Sequence, residues 1–352
     1  MGNTLHDKLQ EWFKKNQRKL PWRNQSNWYK TYLSEILLQQ TQVEQGLPYY
    51  HKFINQYPDI WSLSQAEEDE ILRLWSGLGY YARARNMLKT AKIIVTTYDG
   101  NFPDNWQEAL RLPGIGPYSA AAILSISFNK PFAVVDGNVQ RVLSRLFTFR
   151  DDLRLSATQK KITETADTLL NKQNPGTHNE ALMELGALVC LPKNPVCEQC
   201  PLKLLCKAYG SNLQKEIPFK SPPAKKKLVK QYILLMQYKD KFIVRQRSAT
   251  GLLARMWEFP YLEVDELNLS GNQIREQILQ EMGTKTEIKG VLKNMSHIYS
   301  HIRLEYVPLI LKLVNGKSVH RTLGFEEMDS IALHRAHKKI LELPELQHFF
   351  NN

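Results

Sequence analysis

The stretch Leu112-Pro113-Gly114-Ile115-Gly116-Pro117-Tyr118-Ser119-Ala120 decides how the chain is read. Its glycines and prolines interrupt the hydrophobic pattern, and a long apolar helix is predicted to start near Tyr118. Gly114 and Gly116 can take the positive φ that a tight turn needs. Pro117 suits the first turn of the following helix, where backbone N–H groups can hold a phosphate oxygen. A hairpin between helices is a means of gripping a DNA backbone without reading bases. Gly-Pro turns between helices are also common in proteins with no such role, so the segment gains meaning only from its surroundings.

Those surroundings are helical. Within residues 28–42, Tyr32, Leu33, Ile36 and Leu37 fall on one stripe. Ile71, Leu72, Trp75 and Leu78 repeat the pattern, as do Met87, Leu88, Ala91, Ile94 and Val95. Asp136-Gly137-Asn138 opens another helix, and residues 181–188 end the series. Residues 1–215 thus read as one mostly α-helical region. A linker is expected at 216–229, because Pro218, Ser221, Pro222 and Pro223 followed by Lys225, Lys226 and Lys227 resist packing. Residues 230–352 differ in texture. Residues 231–237 and 241–246 read as short strands around Tyr238-Lys239-Asp240, residues 300–313 contain further strand-like sequence, and helices are expected at 272–281 and near the C-terminus. That pattern predicts a small α+β domain, and no internal repeat is visible.

Whole-chain properties agree. A length of 352 residues suggests two domains, and 43% hydrophobic with 23% charged residues is an ordinary globular balance. The 47 Lys and Arg against 35 Asp and Glu leave a formal charge of +12, which suits a polyanionic partner without proving one. The first residues contain no apolar stretch long enough for a signal peptide. Residues 120–128, the longest apolar-rich run, are too short to span a bilayer. A soluble protein that stays where it is made is expected.

The 4 cysteines, Cys190, Cys197, Cys200 and Cys206, all lie on one short segment with spacing Cys-x6-Cys-x2-Cys-x5-Cys. Such a segment can hold zinc or an iron–sulfur cluster. Zinc sites usually pair their cysteines in two tight knuckles, and only one x2 pair exists, so spacing alone leaves both open. Disulfides are not expected without export. Lys193, Lys203 and Lys207 interleave with the cysteines, either facing phosphate or forming a solvated surface.

Two carboxyls stand in contrasting sequence settings. Glu35, within SEILLQQTQ (34–42), has apolar neighbours that would desolvate it and raise its pKa, which suits a general acid. The plainer reading is a surface glutamate on an amphipathic helix. Asp136 follows Phe132-Ala133-Val134-Val135 and precedes a helix, so it reads as an N-cap whose charge is favoured by backbone donors and the helix dipole. One group pushed towards the acid and one towards the anion is a division of roles used in glycoside cleavage.

Together these pieces resemble the endonuclease III superfamily of DNA glycosylases, and within it the adenine glycosylase (MutY-type) branch. The resemblance is carried by LPWR (20–23), SEILLQQTQV (34–43), GLGYYARARN (77–86), LPGIGPYSA (112–120), VDGNVQRV (135–142), NEALMELGALVC (179–190) and the cysteines. It runs from about Trp12 to Cys206, and more weakly beyond. It implies a mostly α-helical, helix-hairpin-helix catalytic region whose cysteine loop holds a [4Fe–4S] cluster. It places Glu35 as the acid that protonates adenine N7, and Asp136 as the carboxylate that stabilises an oxocarbenium-like sugar by charge or a transient covalent bond. Asn138 matches a residue supporting Asp136. Tyr118 stands where bifunctional relatives carry an imine-forming lysine, and a phenol cannot form that imine. Arg23 and Glu180 match residues around the flipped adenine, with Leu38 and Val43 as its apolar wall. Gln40 and Tyr80 match residues inserted beside the oxidised guanine, where otherwise Tyr80 would read as a core aromatic and Gln40 as merely exposed. Gly114 and Gly116 match the DNA-gripping hairpin.

The C-terminal region resembles the Nudix-like domain attached to these glycosylases, most clearly in GLLARMWEFP (251–260). Residues 275–283 resemble a Nudix box that lacks its paired acidic metal ligands, so pyrophosphate hydrolysis is not expected. His297-Ile298-Tyr299-Ser300-His301 matches the family's Phe-Ser-His recognition loop with Tyr299 in place of phenylalanine, and Ser300 would read 8-oxoguanine. Without the resemblance, these residues are an ordinary strand and turn with surface histidines. The expected partner is duplex DNA carrying adenine opposite 8-oxoguanine or guanine, bound by a monomer in the cytoplasm, nucleoid-associated in a prokaryote, with no membrane. The alternatives are an oxidised-pyrimidine glycosylase and lyase, a non-catalytic iron–sulfur DNA-binding or redox-sensing protein, and a zinc-binding structural protein. Tyr118 and the C-terminal domain argue against the first, and the second leaves Glu35 and Asp136 without purpose.

Overall fold

The structure is a computed structural model that describes the chain except residues 1, 24–26, 223–224, 240, 300, 316–320 and 347–352. Ser300, Pro223 and Asp240 therefore lie outside the described residues. The chain forms two compact units, Met1–Ala66 with Asn86–Pro223 and Glu67–Arg85 with Ala224–Asn352. In chain order the helices are α1 (Gly2–Asn16), α2 (Trp28–Leu38), α3 (Val43–Gln56), α4 (Ile60–Ser64), α5 (Glu68–Leu74), α6 (Ala82–Tyr98), α7 (Trp106–Arg111), α8 (Pro117–Phe128), α9 (Gly137–Phe147), α10 (Ser156–Leu169), α11 (Pro175–Leu188), α12 (Lys207–Gly210), and, after the first strands, α13 (Gly271–Met282) and α14 (Arg335–Leu341). Among the described residues, no helix is long and apolar enough to cross a membrane.

Among the described residues, the regular elements of the first unit are all helical. Leu5, Leu9 and Phe13 of α1 pack with Val139, Val142, Leu143 and Leu146 of α9 and with Leu182 and Leu185 of α11. The central α8 is buried from Ser119 to Ser125, so its sequence is apolar without a polar face. α2 begins where the Asn27 side chain accepts from the Tyr29 N–H, and it stops at Leu38, earlier than the predicted 42. Gln40 has a φ of 58°, a left-handed turn that no continuing helix can hold.

The hairpin lies between α7 and α8. Gly114 has a φ of 79°, and a Cβ there would come within 2.8 Å of the Asn86 Cβ, so both backbone and space demand glycine. Gly116 corrects the expectation: its φ of −97° is ordinary extended backbone, and a Cβ would meet nothing. Pro117 is the first helical residue as expected, and Thr90 Oγ1 donates to the Pro113 carbonyl at 2.8 Å, tying the hairpin to α6.

In the second unit the strands are β1 (Lys227–Tyr238), β2 (Lys241–Gln246), β3 (Trp257–Glu258), β4 (Tyr261–Val264), β5 (Lys285–Val291), β6 (Met295–Ile298), β7 (Ile302–Asn315) and β8 (Arg321–Leu323). They form one sheet in the order β3-β2-β1-β7-β5, with β4 also on β1, β6 on β7 and β8 on β2. β1 and β7 run parallel over Lys227–Gln237, and the other pairs are antiparallel. β1 is buried on both faces because α13 covers Tyr232, Leu234 and Met236 while Ile233 and Leu235 face the core containing Phe259, Tyr306, Ala336 and Ile340. A mixed sheet covered by helices agrees with the predicted α+β domain.

Candidate active site

Glu35, Tyr118, Asp136 and Asn138, together with Arg23, Leu38, Val43 and Glu180, all line one cavity of about 160 Å³ in the first unit. They arrive from separate elements. α2 supplies Glu35 and Leu38, α3 begins at Val43, the start of α8 supplies Tyr118, α9 with its cap supplies Asp136 and Asn138, and α11 supplies Glu180.

Glu35 is 9% exposed and accepts a 2.7 Å hydrogen bond from the Tyr118 hydroxyl. Burial pushes its pKa up to about 7; the Tyr118 bond opposes this, and the charges of Asp136 and Glu180 add to it. Burial also drives the Tyr118 phenol well above its ordinary range, so it stays protonated and keeps an O–H to donate to Glu35.

Asp136 caps α9, accepting from the Val139 N–H at 2.7 Å and from Asn138 Nδ2 at 2.8 Å. The cap was legible in the sequence, but the expected downward pull on its charge is overridden. Burial raises the Asp136 pKa, and the Val139 and Asn138 donors offset that only in part. Both carboxyls are therefore pushed towards the acid; they differ in their donors rather than in the sign of the shift.

The sequence reading missed residues in and around the cavity. Glu184, one helical turn beyond Glu180, has a side chain 1% exposed. It accepts from Arg23 at 3.0 and 2.9 Å and from the Arg18 side chain at 3.0 and 2.9 Å, and the Arg18 backbone N–H adds a 2.7 Å bond. Burial alone would raise this carboxyl, but the Arg23 and Arg18 donors hold it down at about 2. Arg23 Nε also reaches Glu180 at 3.2 Å. The i, i+4 spacing of Glu180 and Glu184 within EALMELG (180–186) was the available signal. Gly186 is a second omission: a Cβ there would lie 2.5 Å from the Asn138 Cβ, so the glycine lets α11 approach α9 beside Asp136. Arg141 secures this contact, donating to Asn138 Oδ1 (2.8 Å), the Gly186 carbonyl (2.8 Å) and the Cys190 carbonyl (2.7 Å).

The other singled-out residues lie outside this cavity. Gln40 is exposed in the α2–α3 turn, and Gly114 and Gly116 sit in the hairpin. In the second unit, Tyr80, Tyr299 and His301 line another cavity, of about 520 Å³. Tyr80 is 49% exposed with a φ of 49°.

Cys190, Cys197, Cys200 and Cys206 are free and partly buried, and Cys190, Cys200 and Cys206 pack against the α1–α9–α11 core. Among the described residues, no group of three or more His, Cys, Asp or Glu side chains is placed to hold a metal ion. Arg145, 2% exposed, braces the loop: it donates to the carbonyls of Leu191 (2.7 Å), Pro192 (3.1 Å) and Ile217 (2.7 Å), and to Cys190 Sγ at 3.3 Å. Lys203 is engaged with Glu198 and lies over the Tyr209 ring, which favours the solvated-surface reading for that lysine.

Residues 33–172 match the family of HhH-GPD superfamily base excision DNA repair proteins, and residues 231–343 match the NUDIX domain family. The adenine DNA glycosylase of Buchnera aphidicola subsp. Baizongia pistaciae (strain Bp) is 38% identical over 320 residues, covering 90% of this chain and 88% of that protein. The chain belongs to the adenine DNA glycosylase family. The family's counterpart in Buchnera aphidicola subsp. Acyrthosiphon pisum (strain APS) is 34% identical, covering 94% of this chain and 95% of its own. Among solved structures, a thermostable thymine-DNA glycosylase aligns with a TM-score of 0.54 at 29% identity, over 59% of this chain and 96% of its own. Family membership makes the protein a DNA glycosylase with a helical HhH-GPD domain and a Nudix-like β/α domain.

Proposed function

We propose that the protein removes adenine mispaired with 8-oxoguanine or guanine from duplex DNA by hydrolysing its N-glycosidic bond. The observation that carries this reading is the convergence of Glu35 and Asp136 on one small cavity, with Glu35 poised near pH 7. A base flipped out of the stack is read at its edge and stacked against apolar side chains; Leu38 and Val43 provide the wall, and Arg23 with Glu180 the polar edge. Glu35 donates its proton to adenine N7, which makes the base a better leaving group. Tyr118 holds the Glu35 carboxyl in place. Asp136, oriented by the Val139 and Asn138 donors, stabilises the cationic sugar as the bond breaks. Tyr118 offers no amine, so base loss proceeds without an imine to the enzyme. Gln40 and Tyr80 insert into the stack beside the oxidised guanine, the hairpin at Gly114 and Gly116 holds backbone phosphate, and the recognition loop at 299–301 reads the oxidised base.

The cysteine loop suits a [4Fe–4S] cluster held by Cys190, Cys197, Cys200 and Cys206. Cysteine spacing alone leaves zinc open, and the family resemblance is what favours the cluster. The Arg145 donor at Cys190 Sγ is the kind of hydrogen bond that sulfur ligands accept. When bound, the cluster supplies metal–thiolate bonds that cross-link a loop with little regular structure. Visible absorbance with iron and sulfide content tests this, and stoichiometric zinc in its place would refute it.

The functional test is single-turnover cleavage of duplexes carrying adenine opposite 8-oxoguanine, guanine or thymine, with alkali added to reveal abasic sites. Adenine loss opposite 8-oxoguanine and guanine, with no efficient borohydride-trapped adduct on abasic DNA, is expected. No adenine loss from folded, cluster-loaded protein would refute the reading.

A further inference from the structure

Two chain segments form lips of the 520 Å³ cavity of the second unit, Tyr299 with His301 and Gly251 with Leu252 and Leu253. Both lips lead to one buried carboxylate. The Tyr299 hydroxyl lies 3.1 Å from His334 Nδ1, and His334 Nε2 lies 3.8 Å from Glu258 Oε2. Glu258, 4% exposed at its side chain, also accepts from Arg245 Nε at 2.9 Å and from Arg247. Arg247 Nε in turn donates to the Leu252 carbonyl at 3.0 Å, and its backbone N–H to the Met256 carbonyl at 2.9 Å. The backbone places these partners: the Trp257 N–H donates to the Ala332 carbonyl (3.0 Å) and the His334 N–H to the Trp257 carbonyl (3.3 Å), so His334 is carried beside Glu258.

Tautomer logic gives the chain a direction. His334 is 3% exposed, and burial keeps it neutral with one ring proton. A proton on Nε2 faces Glu258 and leaves Nδ1 bare, so Tyr299 donates its O–H to Nδ1. A phenylalanine at 299 would keep the ring's packing and lose this link.

We propose that Glu258 is a positioning residue that sets both walls of this cavity, Tyr299 through His334 and the Leu252 lip through Arg247. Discrimination of the base opposite the excised adenine then depends on a carboxylate that need not touch DNA. This rests on the reading under Proposed function.

The test uses full-length Tyr299→Phe, Glu258→Gln and the double variant. Tyr299→Phe should speed amide exchange on the far lip, at residues 251–256, on the order of tenfold, the size of one hydrogen bond. It should reduce the ratio of adenine-removal rates opposite 8-oxoguanine and guanine by a similar factor. Glu258→Gln should do the same, and the double variant should add little, because both act on one chain. Exchange changes confined to residues 297–302, an unchanged ratio, or additive losses would overturn the proposal. Should Glu258→Gln fail to fold, the Tyr299→Phe result decides alone. If the wild type removes no adenine opposite either base, the function reading fails, and the exchange measurement still decides whether the two lips are coupled.

Discussion

On the proposed reading, Glu35 trades stability for chemistry. Its carboxyl rises from 4.5 to about 7 because it is buried, with acidic neighbours. The folded state thus holds the proton more tightly than the unfolded state. The strain is absent below about pH 4.5, grows as pH rises, and is complete above pH 7, where it amounts to about 3 kcal/mol. Glu35→Gln mimics the protonated acid, so it should unfold at higher temperature than wild type at pH 8, with the gap closing by pH 4.5. The same variant should lose about 10²–10⁴-fold in excision while still binding DNA, and wild-type excision should fall as pH rises through about 7. Equal melting at both pH values, or retained excision, would remove Glu35 from this role. Glu35 and Asp136 were legible in the sequence because apolar runs flank them. The rise in Asp136 was not, since a cap is a local pattern and burial depends on α8 and α11, which are distant in sequence.

At the scale of elements, the site depends on α11, which carries Glu180 into the cavity and binds the segment before α2. Glu184 is the clamp, because the Arg18 and Arg23 guanidiniums converge on it. Glu184→Gln leaves those cations poorly compensated and should destabilise the protein by about 3–5 kcal/mol at pH 7, the size expected for breaking a buried pair. With its folded pKa depressed to about 2, Glu184 stabilises above pH 4.5 and loses that contribution as pH falls towards 2. The difference between variant and wild type in denaturant unfolding should therefore narrow across that window. A constant difference would mean that Glu184 acts by packing alone. Helices with sustained periodicity, α6 and α13 among them, were readable in advance. The end of α2 was not, since Gln39-Gln40-Thr41-Gln42 contains no glycine or proline, and the turn is marked only by backbone angles, the extended ψ of Gln39 and the positive φ of Gln40. β3 was also hidden, because two residues are too few to show an alternation, yet it places Glu258.

At the scale of the molecule, the sequence showed an α-helical region followed by an α+β one, but not that residues 67–85 join the second compact unit. Tyr80 thereby comes to line the same cavity as Tyr299, a pairing that no local pattern announces. The excess of 47 basic over 35 acidic residues belongs to this scale too, and it separates binding from chemistry. Exposed cations act on DNA phosphates through a salt-screened field and by releasing condensed counterions. On the proposed reading, Glu35 and Asp136 act inside a cavity of about 160 Å³, away from the screened surface field. Affinity for an undamaged duplex should therefore fall steeply with salt, with a log–log slope of about −4 or steeper if several phosphates are neutralised. Excision by saturating enzyme should stay nearly constant over the same range. Filter binding and single-turnover cleavage across a salt series measure the two separately. A shallow binding slope would mean that the net charge is not spent on DNA, and an excision rate that falls in parallel would mean that the cavity is open to ions while the bond breaks.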